Sequence, residues 1–321
     1  MTQHVLDIDD LKVHHTTARG NLKAVDGITL SVAQGETLGL VGESGCGKSS
    51  LARCIVGISK PTGGALSIAG TDPGRHGRSR RTRARAVQMV FQDPSGALNP
   101  RLTVGRIIEE PLRVHRLGTR AERRAAVRDL ARKVGLADYH LERLPHELSG
   151  GQRQRVSIAR ALALNPSLLV CDEAVSALDV SVQAQVLNLF VSVQKQLGLA
   201  YLFISHDLSV VRYISDRIAV MYLGRIVEIG PAEDVWSRHR HPYTKALVDA
   251  IPDEAVRHED DALILEGDVP SPFNPPSGCA FRTRCPFARD RCARETPELR
   301  ALGGGLSAAC HFAEEIARQS A

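Results

Sequence analysis

Short apolar runs, each stopping at a glycine-rich turn or a polar pair, set the rhythm of this chain. "TLGLVG" (37–42) runs straight into a glycine-rich loop, and "SSLARCIVG" (49–57) then carries helical periodicity to a closing glycine, Gly57. "SLLVCDE" (167–173) and "LAYLFISHD" (199–207) are apolar along their length and end in acidic or polar residues. Strands apolar on both faces predict a mostly parallel sheet with helices packed around it. Thr119 and Glu122 have capping-box spacing at the start of a helix reaching Val134, with Ala126, Leu130 and Val134 on one face. Lying between the other runs, this helix predicts an inserted helical subdomain. After about residue 250 the pattern changes to an acidic, proline-dotted linker and a short cysteine-bearing tail. The expected division is therefore 1–250 for the main domain and 251–321 for an extension.

Composition narrows the class. With 321 residues, 43% of them hydrophobic and 24% charged, the chain can bury a sizeable core and is not a disordered one. No apolar run approaches the roughly 18 residues of a spanning helix, and "MTQHVLDIDDLKVHH" lacks a signal-peptide core, so a cytoplasmic chain is expected. The net charge of +5 comes from one patch, six arginines between Arg75 and Arg85 with no acid among them. It reads as a solvated loop. Nothing nearby supplies interleaved aromatics for stacking on bases, so no nucleic-acid partner is expected.

The chemistry begins with Gly42 to Ser49, which fits the phosphate-loop template of glycine, four residues, glycine, lysine and serine. Gly42, Ser44, Gly45, Cys46 and Gly47 would curl the backbone so that N–H groups face phosphate oxygens, with Ser50 just beyond. Lys48 adds a mobile positive charge and Ser49 can ligate Mg²⁺. Such a loop needs a carboxylate for its metal. "LLVCDE" supplies Asp172 to hold Mg²⁺ and Glu173, one residue further, as general base for an attacking water. A second helix start lies in "HELSGGQ" (146–152), where Ser149 and Gln152 again have capping-box spacing. Gly150 and Gly151 there leave the backbone bare for close approach by an anion.

"LSGGQ" between a phosphate loop and "LLVCDE" resembles the signature of ATP-binding cassette (ABC) ATPases. The resemblance extends through Gln92 in "VFQDP", Asp179 in "SALD" and His206 in "FISHD", six motifs in family order over about 200 residues. It implies a phosphate-loop nucleotide hydrolase fold: an α/β core with a mostly parallel sheet, an antiparallel β part and an inserted helical subdomain. It also implies that two cassettes pair head to tail, each ATP lying between one subunit's phosphate loop and the other's signature helix. By the same resemblance, His206 contacts the γ-phosphate, Asp179 couples the two sites, and Gln92 senses metal and water. Family members stack adenine on an aromatic residue upstream of the loop. "KVHHTTARGN" contains no Phe, Tyr or Trp, which leaves His15, with His14 beside it, to take that place.

Around these motifs, "FQDPSGALNPRLTVGRIIEEPL", "VMYLGRIVEIG", "HPYTKAL" and "LEGDVPSPFNPPSGCAFRTRCPF" resemble the ATPase subunits of oligopeptide and dipeptide importers. The resemblance implies a peripheral subunit on the cytoplasmic face of the membrane, using ATP and Mg²⁺. Its partners would be a second ABC ATPase, two transmembrane permease subunits and an extracytoplasmic peptide-binding protein. Peptide is the implied cargo, with nickel or another small solute as the alternative in the same subfamily. A soluble ATPase acting on nucleic acid is the competing class.

Seven cysteines fall into two groups. Cys46, Cys54 and Cys171 lie at core motifs and are expected to be reduced, packed thiols. Cys279, Cys285, Cys292 and Cys310 crowd a small proline-rich tail, where a metal clip would offset a thin core. Their spacings match neither a zinc ribbon nor a bacterial ferredoxin run. Resemblance implies a [4Fe–4S] cluster; zinc, with His311 as a substitute ligand, and bare thiols stay open.

Overall fold

The structure is a computed structural model that describes residues 4–18, 20–70, 79–251, 263, 265 and 267–319. Part of the arginine patch (75–78) and most of the acidic linker lie outside the described residues. Among the described residues eleven strands make two sheets. In chain order they are β1 (His4–Thr17), β2 (Gly20–Ala33), β3 (Thr37–Val41), β4 (Gly63–Ile68), β5 (Val87–Val90), β6 (Leu168–Asp172), β7 (Ala200–Ser205), β8 (Arg217–Tyr222), β9 (Arg225–Pro231), β10 (Arg300–Gly303) and β11 (Leu306–Ala308).

The main sheet has the order β10-β11-β9-β8-β3-β7-β6-β5, with β8, β3, β7, β6 and β5 mutually parallel. All residues of β3, β6 and β7 are buried, as the continuous apolar runs predict. Their carboxyl ends stop at one edge, where "GESGCGKS", Glu173 and His206 follow β3, β6 and β7 in turn. A three-stranded antiparallel sheet, β2-β1-β4, packs beside this core. The expected α/β architecture with an antiparallel part is present.

Helices Val104–Val114, Arg120–Lys133 and Gly150–Leu162 form the inserted helical subdomain. Thr119 and Glu122 cap the second reciprocally, with Glu122 N–H to Thr119 Oγ1 at 3.3 Å and Thr119 N–H to Glu122 Oε2 at 2.6 Å. Its buried face differs by a fraction of a turn from the expected one: Val127, Leu130 and Ala131 are buried, then Val134 at the C-cap, while Ala126 is only partly covered. The tail is not appended loosely. β11 hydrogen-bonds to β9, so the β10–β11 hairpin continues the main sheet. Among the described residues no helix is long and apolar enough to cross a membrane.

Candidate nucleotide site

The loop after β3 is shaped by close approach. Gly42 and Gly47 have φ of 158° and 110°, and a Cβ on either would run into the carbonyls of Met221 and Ala24 respectively. Gly224 N–H also donates to the Cys46 carbonyl at 2.8 Å, which braces the loop against the β8–β9 turn. Gly47 is the N-cap of helix Lys48–Val56 and brings no side-chain cap, so its first-turn N–H groups are left for an anion. Lys48 is buried and donates from Nζ to the carbonyls of Gly42 (2.6 Å) and Glu43 (3.0 Å). Those bonds satisfy the buried ammonium. Ser44 and Gly45 are exposed, Ser50 is half-buried, and burial pushes the Cys46 thiol up.

The two residues expected to hold the metal lie within hydrogen-bond distance, Ser49 Oγ donating to Asp172 Oδ1 at 3.1 Å. Burial pushes the Asp172 carboxyl up, Glu173 adds to the shift and the Ser49 bond opposes it. Glu173 itself occupies φ 49°, left-handed backbone that costs a non-glycine residue on the order of 1–3 kcal/mol. Its N–H bonds to Ile204 O at 3.0 Å, and its carbonyl accepts from Ser176 Oγ at 3.0 Å; these hold the bend. The bend delivers the carboxylate between two neighbours. Gln92 Nε2 donates to Glu173 Oε2 at 2.8 Å, and His206 Nδ1 lies 3.5 Å from the same oxygen. Because β5, β6 and β7 are parallel neighbours in register, three residues far apart in sequence meet where those strands end.

The second helix start is finished differently. Ser149 Oγ accepts from Gln152 N–H (3.2 Å) and Gln152 Oε1 accepts from Ser149 N–H (2.9 Å), the reciprocal box that the spacing predicts. Gly151 has a further constraint that sequence did not reveal. A Cβ there would lie 2.5 Å from Val182 Cγ1, so the residue must be small for helix Gly150–Leu162 to pack on helix Val180–Leu197. At Gly150 the nearest atom, on Leu178, is at 3.5 Å, an ordinary contact. Among the described residues no hydrogen bond or ion pair joins Ser149–Gln152 to the phosphate loop. Asp179 is exposed at the N-cap of helix Val180–Leu197 and makes no side-chain capping bond.

His15 is exposed near the end of β1. His14 is committed elsewhere, its Nε2 lying 3.1 Å from Asp26 Oδ1; Asp26 also accepts from Arg225 Nη2 through Oδ2 at 2.8 Å.

In the tail, Cys279 N–H donates to Cys292 O at 2.8 Å and Phe312 N–H approaches Cys310 Sγ at 3.4 Å. Burial, reinforced by the neighbouring thiols, pushes Cys285 up to about 12 and Cys310 up to about 11. Cys279, Cys292 and Cys310 all add to the Cys285 shift. Yet among the described residues no group of three or more His, Cys, Asp or Glu side chains is arranged to hold a metal ion. His311 is not turned to the thiols; its Nε2 meets the Glu295 carbonyl at 3.0 Å. Cys46, Cys54 and Cys171 are buried free thiols, as expected.

Two residues at the phosphate loop escaped the sequence. Tyr243 Oη accepts the Glu43 N–H at 2.8 Å, and Arg284 forms a double ion pair with the Glu43 carboxylate. Separations of 200 and 241 residues leave no local signal for either contact.

Residues 25–176 match the ABC transporter family, and residues 227–292 match the oligopeptide/dipeptide transporter C-terminal region. The oligopeptide transport ATP-binding protein OppF of Salmonella typhimurium is 51% identical over 308 residues, covering 92% of each chain. The probable peptide ABC transporter ATP-binding protein y4tS of Sinorhizobium fredii is 50% identical, covering 97% of this chain and 90% of its own. Among solved structures, cbiO1 of Clostridium perfringens, part of the transporter complex cbiONQ, superposes with TM-score 0.67 at 26% identity over 74% of this chain and 92% of its own. The cassette MJ0796, solved as a dimer in a post-hydrolysis state with ADP and Pi, gives 0.64 at 27% identity over 71% of this chain and 98% of its own. With its phosphate loop, paired acids and signature turn in place, the chain belongs to the ABC transporter family, as an ATP-binding subunit that carries the oligopeptide/dipeptide transporter C-terminal region.

Proposed function

We propose that this chain hydrolyses ATP to drive import of peptides across the cytoplasmic membrane, as one ATPase subunit of a multi-subunit importer. The observation that carries the hydrolytic part is the meeting of Gln92, Glu173 and His206 beside Ser49 and Asp172. Lys48 exchanges its two carbonyl partners for the β- and γ-phosphates, and the N–H groups beyond Gly47 hold their oxygens. Glu173 takes a proton from the attacking water once Gln92 releases Oε2, and His206 stands where it can bond the γ-phosphate. Ser49, Asp172 and Gln92 would hold Mg²⁺, which when bound neutralises charge on the phosphates. Ser149 to Gln152 and Asp179 serve the ATP held by a partner cassette, a reading supported by the exposed helix start that the Ser149–Gln152 box presents.

Peptide cargo rests on the likeness to peptide-transport ATP-binding proteins and on the oligopeptide/dipeptide transporter C-terminal region of this chain. The partners are a second ABC ATPase, two permeases and an extracytoplasmic peptide-binding protein, and the chain sits on the cytoplasmic membrane face. The cassette comprises 1–250 and the extension 251–321. For the tail we infer a [4Fe–4S] cluster on Cys279, Cys285, Cys292 and Cys310. The reading is supported by four cysteines crowded into one short tail, and zinc on the same thiols is the alternative. When bound, a cluster supplies a covalent cross-link to a small tail. Iron and sulfide analysis after anaerobic purification tests it: protein free of both overturns the assignment.

Tagging the chain in its own cell, solubilising membranes gently and identifying what co-purifies tests the rest. Two spanning subunits, a second ATPase and a peptide-loaded binding protein are expected. A binding protein loaded with nickel or another small solute would replace the cargo, and ribosomal or DNA partners without a spanning subunit would overturn transport.

A further inference from the structure

The phosphate loop carries a carboxylate where its substrate is an anion. Glu43 is the first residue after Gly42, and its backbone carbonyl already accepts from Lys48 Nζ. A free carboxylate at that place would repel polyphosphate or draw Lys48 away from it. The structure removes it from play. Arg284 grips both oxygens, Nη1 to Oε2 at 2.7 Å and Nη2 to Oε1 at 3.0 Å, and its side chain is only 6% exposed against 27% for Glu43. Two parallel bonds fix the direction of the carboxylate as well as its charge. The Tyr222 hydroxyl faces the same guanidinium, short of full hydrogen-bond geometry.

Arg284 belongs to the tail and stands next to Cys285. Its own position is over-determined. Arg284 N–H bonds to the Phe281 carbonyl at 3.0 Å, and the Phe281 ring packs against Tyr222, Tyr243 and His241 at centroid distances of 5.3 to 5.5 Å. Tyr243 in turn accepts the Glu43 N–H, so main chain and side chain of one loop residue are held from outside the loop. The turn bearing Phe281 and Arg284 is itself pinned at its start, where Cys279 N–H donates to Cys292 O.

We propose that Arg284 is a positioning residue of the nucleotide site: by holding Glu43 it keeps the phosphate loop open to ATP, and so ties ATP affinity to the folding of the thiol-bearing tail. The inference rests on the ATP-binding reading above. Loss of the pair leaves the catalytic side chains Gln92, Glu173 and His206 untouched, so its effect falls on binding.

The test uses the full chain and a fluorescent ATP analogue with Mg²⁺, followed by the ATP dependence of turnover in the reconstituted assembly. Arg284→Ala is expected to raise the analogue's Kd about tenfold, a change of about 1.4 kcal/mol. It should raise the KM for ATP to match while leaving kcat at saturating ATP within about twofold. Arg284→Lys, which keeps the charge and one bond, should recover part of the affinity. Glu43→Gln removes the charge that Arg284 neutralises, so Arg284→Ala should cost markedly less in that background. Wild-type binding with an unchanged Kd in Arg284→Ala, or equal losses in both backgrounds, overturns the inference alone. Wild-type chain that bound no nucleotide would overturn the ATP reading and this inference together. If Arg284→Ala fails to fold, Arg284→Lys and the Glu43→Gln pair still decide: a Kd identical to wild type in Arg284→Lys, Glu43→Gln and their combination overturns it.

Discussion

Two helix starts in this chain lie at motifs expected to meet an anion, and they differ in how their N–H groups are satisfied. At Gly47 the helix has no side-chain cap, and the lysine that follows is parked on two carbonyls of its own loop. At Ser149 the helix closes itself, serine and glutamine satisfying each other's N–H groups. An uncapped helix end leaves donors that a ligand must satisfy, so that half-site gains much from ATP alone. A self-capped end is already stable and has less to gain from an anion. The remaining difference is in bracing. The phosphate loop is held by β2, the β8–β9 turn, Tyr243 and the tail, whereas the signature turn is tied through Gln152 to His140 at 3.1 Å and Val182 leaves no room for a side chain at Gly151.

The largest effect separates chemistry from both half-sites. Glu173→Gln should lower turnover of the reconstituted assembly by about 10²–10⁴-fold while ATP binding persists, because it removes the proton acceptor and leaves both helix starts intact. Turnover unaltered in this variant would take the base assignment away from Glu173.

Next, Lys48→Ala and Ser149→Ala should part company. Titrated against ATP as an isolated subunit, Lys48→Ala is expected to bind about a hundredfold more weakly, a loss of about 2.7 kcal/mol. Ser149→Ala should bind as wild type in that assay, lose about 1 kcal/mol of stability with its cap, and fail only in assembled turnover. Equal binding losses in the two variants would show that both helix starts serve the same ATP.

The bracing can be sharpened through pH. Glu228 on β9 is fully buried, accepts from the N–H groups of Arg240 (2.6 Å) and His241 (3.0 Å), and is pushed up to about 7 chiefly by burial. A carboxyl whose folded pKa exceeds its unfolded value binds its proton more tightly when folded. Stability is therefore highest at or below about pH 4.5 and falls as pH rises through about 7, by an amount on the order of 3 kcal/mol. Glu228→Gln keeps an acceptor and removes the charge. Thermal melts should show it several degrees more stable at pH 8 and near wild type at pH 5; parallel curves at both pH values would refute the buried-charge account.

The smallest effect concerns adenine. His15→Ala should weaken ATP binding a few-fold, about 0.5–1 kcal/mol, as expected for losing one stacking face. An unchanged dissociation constant would move the base elsewhere.

Much of this was legible in the chain, because the information is local. The phosphate loop, the acid pair and both capping boxes lie within short stretches whose spacing is fixed by 3.6-residue turns or by the end of a strand. Apolar runs without alternation likewise announced a sheet buried on both faces. Resemblance then joined motifs that spacing could not, placing Gln92 and His206 with Glu173 before any distance was known. Only the tertiary structure decided what crosses between distant segments. The left-handed bend at Glu173 is held by Ile204 on the neighbouring strand, and Gly151 is needed because Val182 occupies the space a side chain would take. The tail's hairpin extends the main sheet through β9, and its Arg284 neutralises Glu43 across 241 residues of chain. Such pairings depend on which surfaces the fold brings face to face, and periodicity along a chain carries no trace of them.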